Sequence, residues 1–288
     1  MMNKKPVILV TGANGQLGKE LKKTAPTVSA FDFVFLSRED MPIHHFEMVR
    51  HYFKVYQPAF LINCAAYTAV DRAEQEKDKA FQINAEAVGV LAAVCKENHC
   101  RFIHISTDYV FDGNSQSPYQ EDAKTNPQSV YGHSKLKGDE EALRYYPDSI
   151  IIRTAWVYSE YGKNFVRTML QLMKEKESIN VVHDQVGAPT YAYDLAVLIL
   201  HIITSGKWQP GIYHFTNIGK ISWYDFAIAI KEISGSDCIV KPIPTSQYPT
   251  PARRPAFSVL DTQKVQDVYG VEMKNWKESL KVCLRNLL

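Results

Sequence analysis

Short, nearly uninterrupted apolar runs alternate with longer stretches of helical period through the first half of the chain. Val7–Val10, Phe33–Leu36, Phe60–Ile62, Phe102–Ile105 and Ile150–Ile152 lack the in-out alternation of a half-exposed strand. Such runs suit strands covered on both faces, as in a parallel sheet. Between them Gly18–Thr24, Phe46–Tyr56, Ala80–Glu97 and Ser129–Tyr145 carry helical composition or period. The series therefore predicts a parallel sheet with helices on its faces.

Beyond about residue 155 the pattern loosens. Helices are predicted at 164–176, 191–205, 223–233, 262–268 and 275–288, with short strands near 179–182 and 212–215. Pro242, Pro244, Pro249, Pro251 and Pro255 crowd one segment, which reads as an ordered loop or extended stretch. No internal repeat or low-complexity tail is visible.

Composition narrows the partners. With 288 residues, 45% of them hydrophobic, the chain can bury the core of one large or two modest domains. Thirty-three Lys+Arg against 31 Asp+Glu leave a net charge of +2, which argues against nucleic acid or an anionic membrane as a general partner. The five cysteines, Cys64, Cys95, Cys100, Cys238 and Cys283, are too few and odd in number for a secreted disulfide framework. Cys95, His99 and Cys100 lack a second Cys/His pair at zinc spacing, so no metal is expected there. Asn3-Lys4-Lys5 leads into an apolar run too short for a signal-peptide core, and Leu195–Ile203 is too short to span a bilayer. A cytoplasmic protein is expected.

Candidate chemistry begins at the first strand. Val7–Val10 runs into Thr11-Gly12-Ala13-Asn14-Gly15-Gln16-Leu17-Gly18 and then a helix. Glycines at this spacing turn the chain sharply and bring backbone N–H groups to a dinucleotide diphosphate, with Asn14, Gln16 and Leu17 beside it. At the end of strand two, Ser37-Arg38 would favour a 2′-phosphate and hence NADPH, whereas Glu39 or Asp40 on a ribose would leave NADH open. Tyr131 and Lys135 lie four residues apart at the start of a helix, on one face. A neighbouring ammonium lowers a phenol's pKa towards a useful range for proton transfer. Thr107, ending the fourth strand, supplies a hydroxyl for a reacting carbonyl oxygen.

The glycine turn and Tyr-x-x-x-Lys resemble the extended branch of the short-chain dehydrogenase/reductase superfamily. So do Asn63-Cys64-Ala65-Ala66 beside the cofactor and Asn84 in a helix, the latter as readily structural as catalytic. More specific are Ser106-Thr107-Asp108-Tyr109-Val110-Phe111-Asp112-Gly113, Arg153-Thr154-Ala155-Trp156-Val157-Tyr158, Ala65–Asp71, Gly187–Thr190 and Arg254-Pro255. Together they resemble the dTDP-4-dehydrorhamnose reductase family. The resemblance implies a Rossmann-type doubly wound parallel sheet over 1–155, with a return segment at about 181–214. It also implies a smaller α/β substrate-binding lobe over about 156–180 and 215–288.

The implied reaction is reduction of the C4 keto group of dTDP-4-dehydro-β-L-rhamnose by NAD(P)H. Tyr131 would be the proton donor, Lys135 the ribose-orienting cation and Thr107 the carbonyl contact. The cofactor would meet Gly12, Asn14, Gly15, Gln16, Leu17, Gly18, Ser37, Arg38, Ala65, Ala66, Tyr67, Tyr131 and Lys135. The dTDP-sugar would meet Val70, Thr107, Asp108, Trp156 and Arg254, with Arg253 and Arg254 facing its diphosphate or else capping the lobe interface. Thr107 is followed by Asp108-Tyr109 rather than the Asp-Glu pair of the related dehydratases, which suits reduction without elimination. An epimerase or a cofactor-binding regulatory subunit stays open on these residues. Two departures stand out. Met41-Pro42 replaces the usual Leu-Asp after strand two, and Tyr193 replaces an acid of a Mg²⁺ site through which some members dimerise. Glu20 and Asp194 remain, so neither Mg²⁺ nor a homodimer is decided.

Overall fold

The computed structural model describes residues 5–288, so Asn3 and Lys4 lie outside it. Each buried apolar run becomes a strand: β1 (Val7–Thr11), β2 (Asp32–Leu36), β3 (Phe60–Asn63), β4 (Arg101–Thr107) and β5 (Ile150–Thr154). Between them lie α1 (Gln16–Thr24), α2 (Phe46–Tyr56), α3 (Val70–Ala73), α4 (Lys77–Phe81), α5 (Ala87–Glu97) and α6 (Val130–Tyr145). The remainder forms β6 (Val157–Tyr158), α7 (Phe165–Glu175), β7 (Ser178–Val182), β8 (Val186–Gly187), β9 (Thr190–Tyr191), α8 (Ala192–Thr204) and β10 (Gly211–Phe215). Last come β11 (Ile221–Ser222), α9 (Trp223–Ser234), β12 (Ile239–Ile243), α10 (Gln263–Tyr269) and α11 (Trp276–Leu287).

The main sheet runs β10-β5-β4-β3-β1-β2, all parallel. Successive side chains go to opposite faces, and both faces are apolar. Ile8, Val10, Ile62 and Ile152 meet α1 and α8 on one side. Leu9, Leu61, Phe102 and Ile151 meet α2 and α5 on the other. The strand order reverses between β1 and β3, where the crevice beyond the strand ends takes ligands in doubly wound sheets.

A third core gathers α7, α9, α11 and the β7–β12 ribbon around Tyr158, Phe226 and Leu280. Three details differ from the sequence pattern. Strand β7 pairs with β12 rather than the main sheet, so residues 181 and 182 sit in this second lobe, while α10 packs under the main sheet. The Pro-rich stretch begins inside β12, whose two-stranded ribbon accepts Pro242. The predicted helix 80–97 is interrupted by a π-helical turn at Gln82–Glu86. Among the described residues no helix is long and apolar enough to cross a membrane.

Candidate active site

The glycine turn fits a diphosphate. Gly12 has φ +66°, and a Cβ there would fall 2.7 Å from Ala65 N, so the β3 loop can close against it only because the position is glycine. Gly15 precedes α1, and no side chain caps the helix, leaving first-turn N–H groups for an anion. At Gly18 a Cβ would meet Gly12 O at 2.5 Å. Gly18 thus serves helix-on-strand packing and stays behind the cleft wall. Gln16 reaches across to the second lobe, where its Oε1 accepts from Asn164 Nδ2 at 2.9 Å and its Nε2 donates to Val157 O at 3.3 Å.

A cleft of about 750 Å³ opens over this turn, lined by Gly12, Asn14, Gly15, Gln16 and Leu17, then by Ala65, Ala66, Tyr67 and Val70. Arg38 and Glu39 stand at one end with Met41, Pro42 and His44. Ser37 does a different job. Its hydroxyl accepts from Glu39 N and Asp40 N, while Asp40 accepts from Ser37 N at 2.8 Å, so the pair closes the turn that presents Arg38.

At the other end stand Thr107, Asp108, Tyr131, Lys135 and Trp156. Helix α6 starts at Ser129, whose Oγ accepts from Gly132 N at 3.1 Å. It is pressed against its neighbours, since a Cβ on Gly138 would lie 2.0 Å from Asn84 O. Asn84 is structural here. Its side chain accepts from Tyr67 N at 2.8 Å and donates to Tyr67 O at 3.0 Å and Ser134 Oγ at 2.9 Å, tying the cofactor loop to α6.

The electrostatics correct one expectation. Burial pushes the Tyr131 phenol up to about 12, eased by the nearby Thr107 hydroxyl. Lys135 does not pull it down: its Nζ donates to Ile105 O at 2.7 Å and lies 3.2 Å from His104 Nε2, with no hydrogen bond to the phenol. The cause is the backbone carbonyl of β4, which captures the ammonium inside the sheet wall. Burial pushes Lys135 itself down to about 8, opposed by Asp139.

Asp108 is 3% exposed, accepts from Thr107 Oγ1 at 3.0 Å and leaves Oδ2 without a protein partner. Burial raises its carboxyl to about 6, eased by the nearby Ser258 and Thr107 hydroxyls. The folded-state value exceeds the unfolded one, so this group favours folding below the ordinary carboxylate range and loses that contribution as pH rises through about 6. Asp108→Asn is therefore expected to stabilise the free protein by about 3 kcal/mol at pH ~8 and by nothing near pH ~3. Urea unfolding at both pH values tests this; an equal change at each would refute it.

Trp156 has φ +48° and stacks on Trp223 with centroids 3.5 Å apart, so it is at once a packed aromatic and a cleft wall. Holding a bulky residue in the left-handed region costs about 1–2 kcal/mol. Arg254 lies off the cleft lining, its Nη2 donating to Asp71 Oδ2 at 2.7 Å, and Arg253 Nη1 donates to Gln128 Oε1 at 3.3 Å.

Residues 6–288 match the model described as the RmlD substrate binding domain. A dTDP-4-dehydrorhamnose reductase of Burkholderia thailandensis is 42% identical over 98% of this chain and 99% of its own. The chain belongs to this reductase family. A family member of known structure, from Clostridium acetobutylicum, superposes with TM-score 0.94 at 41% identity, covering 98% of this chain and 99% of its own. The Bacillus anthracis reductase, solved in complex with NADP, gives TM-score 0.94 at 35% identity with the same coverage.

Sequence reasoning about the reductase site missed Lys163 and Gly162, which line the cleft from the second lobe, and His104 and Asp139 behind it. The polar His104 inside an apolar strand was the one available signal. For Mg²⁺, Asp194 is already engaged by Asn217, Ser279 and Lys274, and Glu20 is fully buried with its carboxyl raised to about 8 by burial and Glu160. Among the described residues no three His, Cys, Asp or Glu side chains are grouped to hold a metal ion. Cys95 and Cys100 are buried free thiols.

Proposed function

We propose that this protein reduces the C4 keto group of dTDP-4-dehydro-β-L-rhamnose to give dTDP-β-L-rhamnose, with NADPH preferred over NADH. The observation that carries the reading is the meeting of Thr107, Tyr131 and Lys135 in one cleft with an uncapped helix N-terminus and Arg38. Bound NADPH supplies the hydride. The chain's residues do the rest.

First-turn N–H groups of α1 hold the diphosphate, and Arg38 pairs the 2′-phosphate. Thr107 and Tyr131 hold the keto oxygen, and Tyr131 gives it a proton. A phenol held up to about 12 is fully protonated at neutral pH, the state a proton donor needs. Asp108 Oδ2, without a protein partner, accepts from a sugar hydroxyl, and Trp156 lies along the ring. Arg254 exchanges Asp71 for the substrate diphosphate, so Arg254→Gln should raise the sugar-nucleotide KM by roughly 10-fold with kcat preserved. Unchanged KM would remove that role.

The test is stoichiometric oxidation of NADPH and NADH by the purified protein with the dTDP-4-keto sugar, the product read by NMR. Oxidation with net reduction at C4 is expected, faster with NADPH. Epimerised product without oxidation, or no turnover with either cofactor, would overturn the assignment. The expected compartment is the cytoplasm, and a homodimer without shared Mg²⁺ is compatible with the engaged Asp194.

A further inference from the structure

A polar row crosses the otherwise apolar face of the sheet beneath α6. Thr11, Asn63 and His104 are register partners on β1, β3 and β4, so their side chains lie side by side on one face. All three are fully buried. Thr11 Oγ1 and Asn63 Oδ1 are 2.6 Å apart, Asn63 Nδ2 and His104 Nδ1 are 3.0 Å apart, and His104 Nε2 is 3.2 Å from Lys135 Nζ. The row starts at the glycine turn and ends on the lysine of the active site. Four buried polar side chains in a core are costly unless each is satisfied, so the row must act as a unit.

We propose that His104 is a positioning residue for Lys135, its neutral ring accepting from the ammonium through Nε2 and so fixing, with Ile105 O, two of the three Nζ–H directions. The third N–H is then aimed along the cleft wall, where the proposed reaction needs it. The proton count is decisive. An ammonium has donors only, so Nε2 must be bare and the ring proton must sit on Nδ1. Asn63 then presents its amide oxygen to Nδ1 and its NH₂ to Thr11, a turnover of the amide that keeps its shape but gives up the bonds that Ala65 N–H, at 3.3 Å, and the Thr11 hydroxyl make to Oδ1 in the orientation shown. Ala65 N–H, 3.3 Å from Thr11 Oγ1, closes the row on the cofactor loop.

The charged and titratable groups around Lys135 are Tyr131 and Asp139 on α6, His104 on β4, Asp108 just beyond β4, and Arg153 on β5 behind Asp139. His104 stays neutral because burial and the adjacent ammonium both oppose its protonation. The inference about kinetics rests on the proposed reduction; the one about the ring does not.

Two measurements test it. In the wild-type protein, ¹⁵N NMR of the histidine rings, with His104 assigned by its loss in His104→Phe or His104→Gln, should show a neutral Nδ1–H tautomer near pH 7. An Nε2–H tautomer or a protonated ring would overturn the proposal, whatever the enzyme's substrate. In His104→Phe, loss of an acceptor for the charged amine should move the alkaline limb of kcat to lower pH by about one pH unit and lower kcat by roughly 10–100-fold. His104→Gln, which keeps an acceptor, should restore most of the limb. A folded Phe variant with lowered stability but an unmoved limb would mean the ring is only packing.

Discussion

Tyr131→Phe should lower kcat by about 10³-fold and leave the KM for NADPH within a few-fold of wild type. Tyr131 lines the cleft with Thr107, and in the proposed reaction removing the phenol oxygen deletes both the proton donor and one hydrogen bond to the developing alkoxide. The pH profile separates it from Lys135. Burial holds the phenol up to about 12 and Lys135 down to about 8, so the alkaline limb is expected to follow Lys135. The Phe variant should therefore retain the same limb at a much lower plateau. Steady-state rates from pH ~6 to ~10, with dinucleotide affinity measured separately, provide the check. Turnover within about three-fold of wild type would remove Tyr131 as the acid.

The sheet was readable because its inner strands are buried on both faces, which leaves apolar words such as Val7–Val10 and Ile150–Ile152. The cofactor turn was readable because Gly12 and Gly18 are demanded by backbone closeness that a Cβ would violate, with Gly15 between them at the head of α1. Lys135 illustrates the limit. Its spacing from Tyr131 was plain, yet its hydrogen bonds are set by a carbonyl on β4 and a ring in the same strand, partners about 30 residues away whose approach only the register decides. The π-turn around Asn84 was equally hidden, because the Tyr67 loop and Gly138 that hold it are distant in sequence. Arg254 was identified as a cation near the site, but its pairing with Asp71, 183 residues away in sequence, is set by the fold and leaves it off the cleft lining.

Arg153→Met should destabilise the protein by about 3–5 kcal/mol, the cost of leaving a buried charge alone. Arg153 and Asp139 are each no more than 2% exposed, with Nε donating to Oδ2 at 3.1 Å, and the guanidinium also lies 5.4 Å from the Phe111 ring. Burial already raises the Asp139 carboxyl against the pull of Arg153 and Lys135. Without Arg153 that rise grows, so Asp139 favours folding only when protonated. The loss should be largest above its folded-state value and shrink as pH falls towards the ordinary carboxylate range. Asp139→Asn placed in the same chain should recover much of the stability, because the orphaned charge is gone. Urea midpoints of both single variants and the double at pH ~5 and ~8 test this, and a destabilisation below about 1 kcal/mol at the higher pH would contradict it. The activity readout differs from the stability one. Tyr131, Lys135 and Asp139 are spaced four residues apart along one helix, and Asp139 is the anion that opposes loss of the Lys135 proton. The double variant should therefore fold well yet lose activity at lower pH than wild type, since its core is neutral again but its ammonium is less supported.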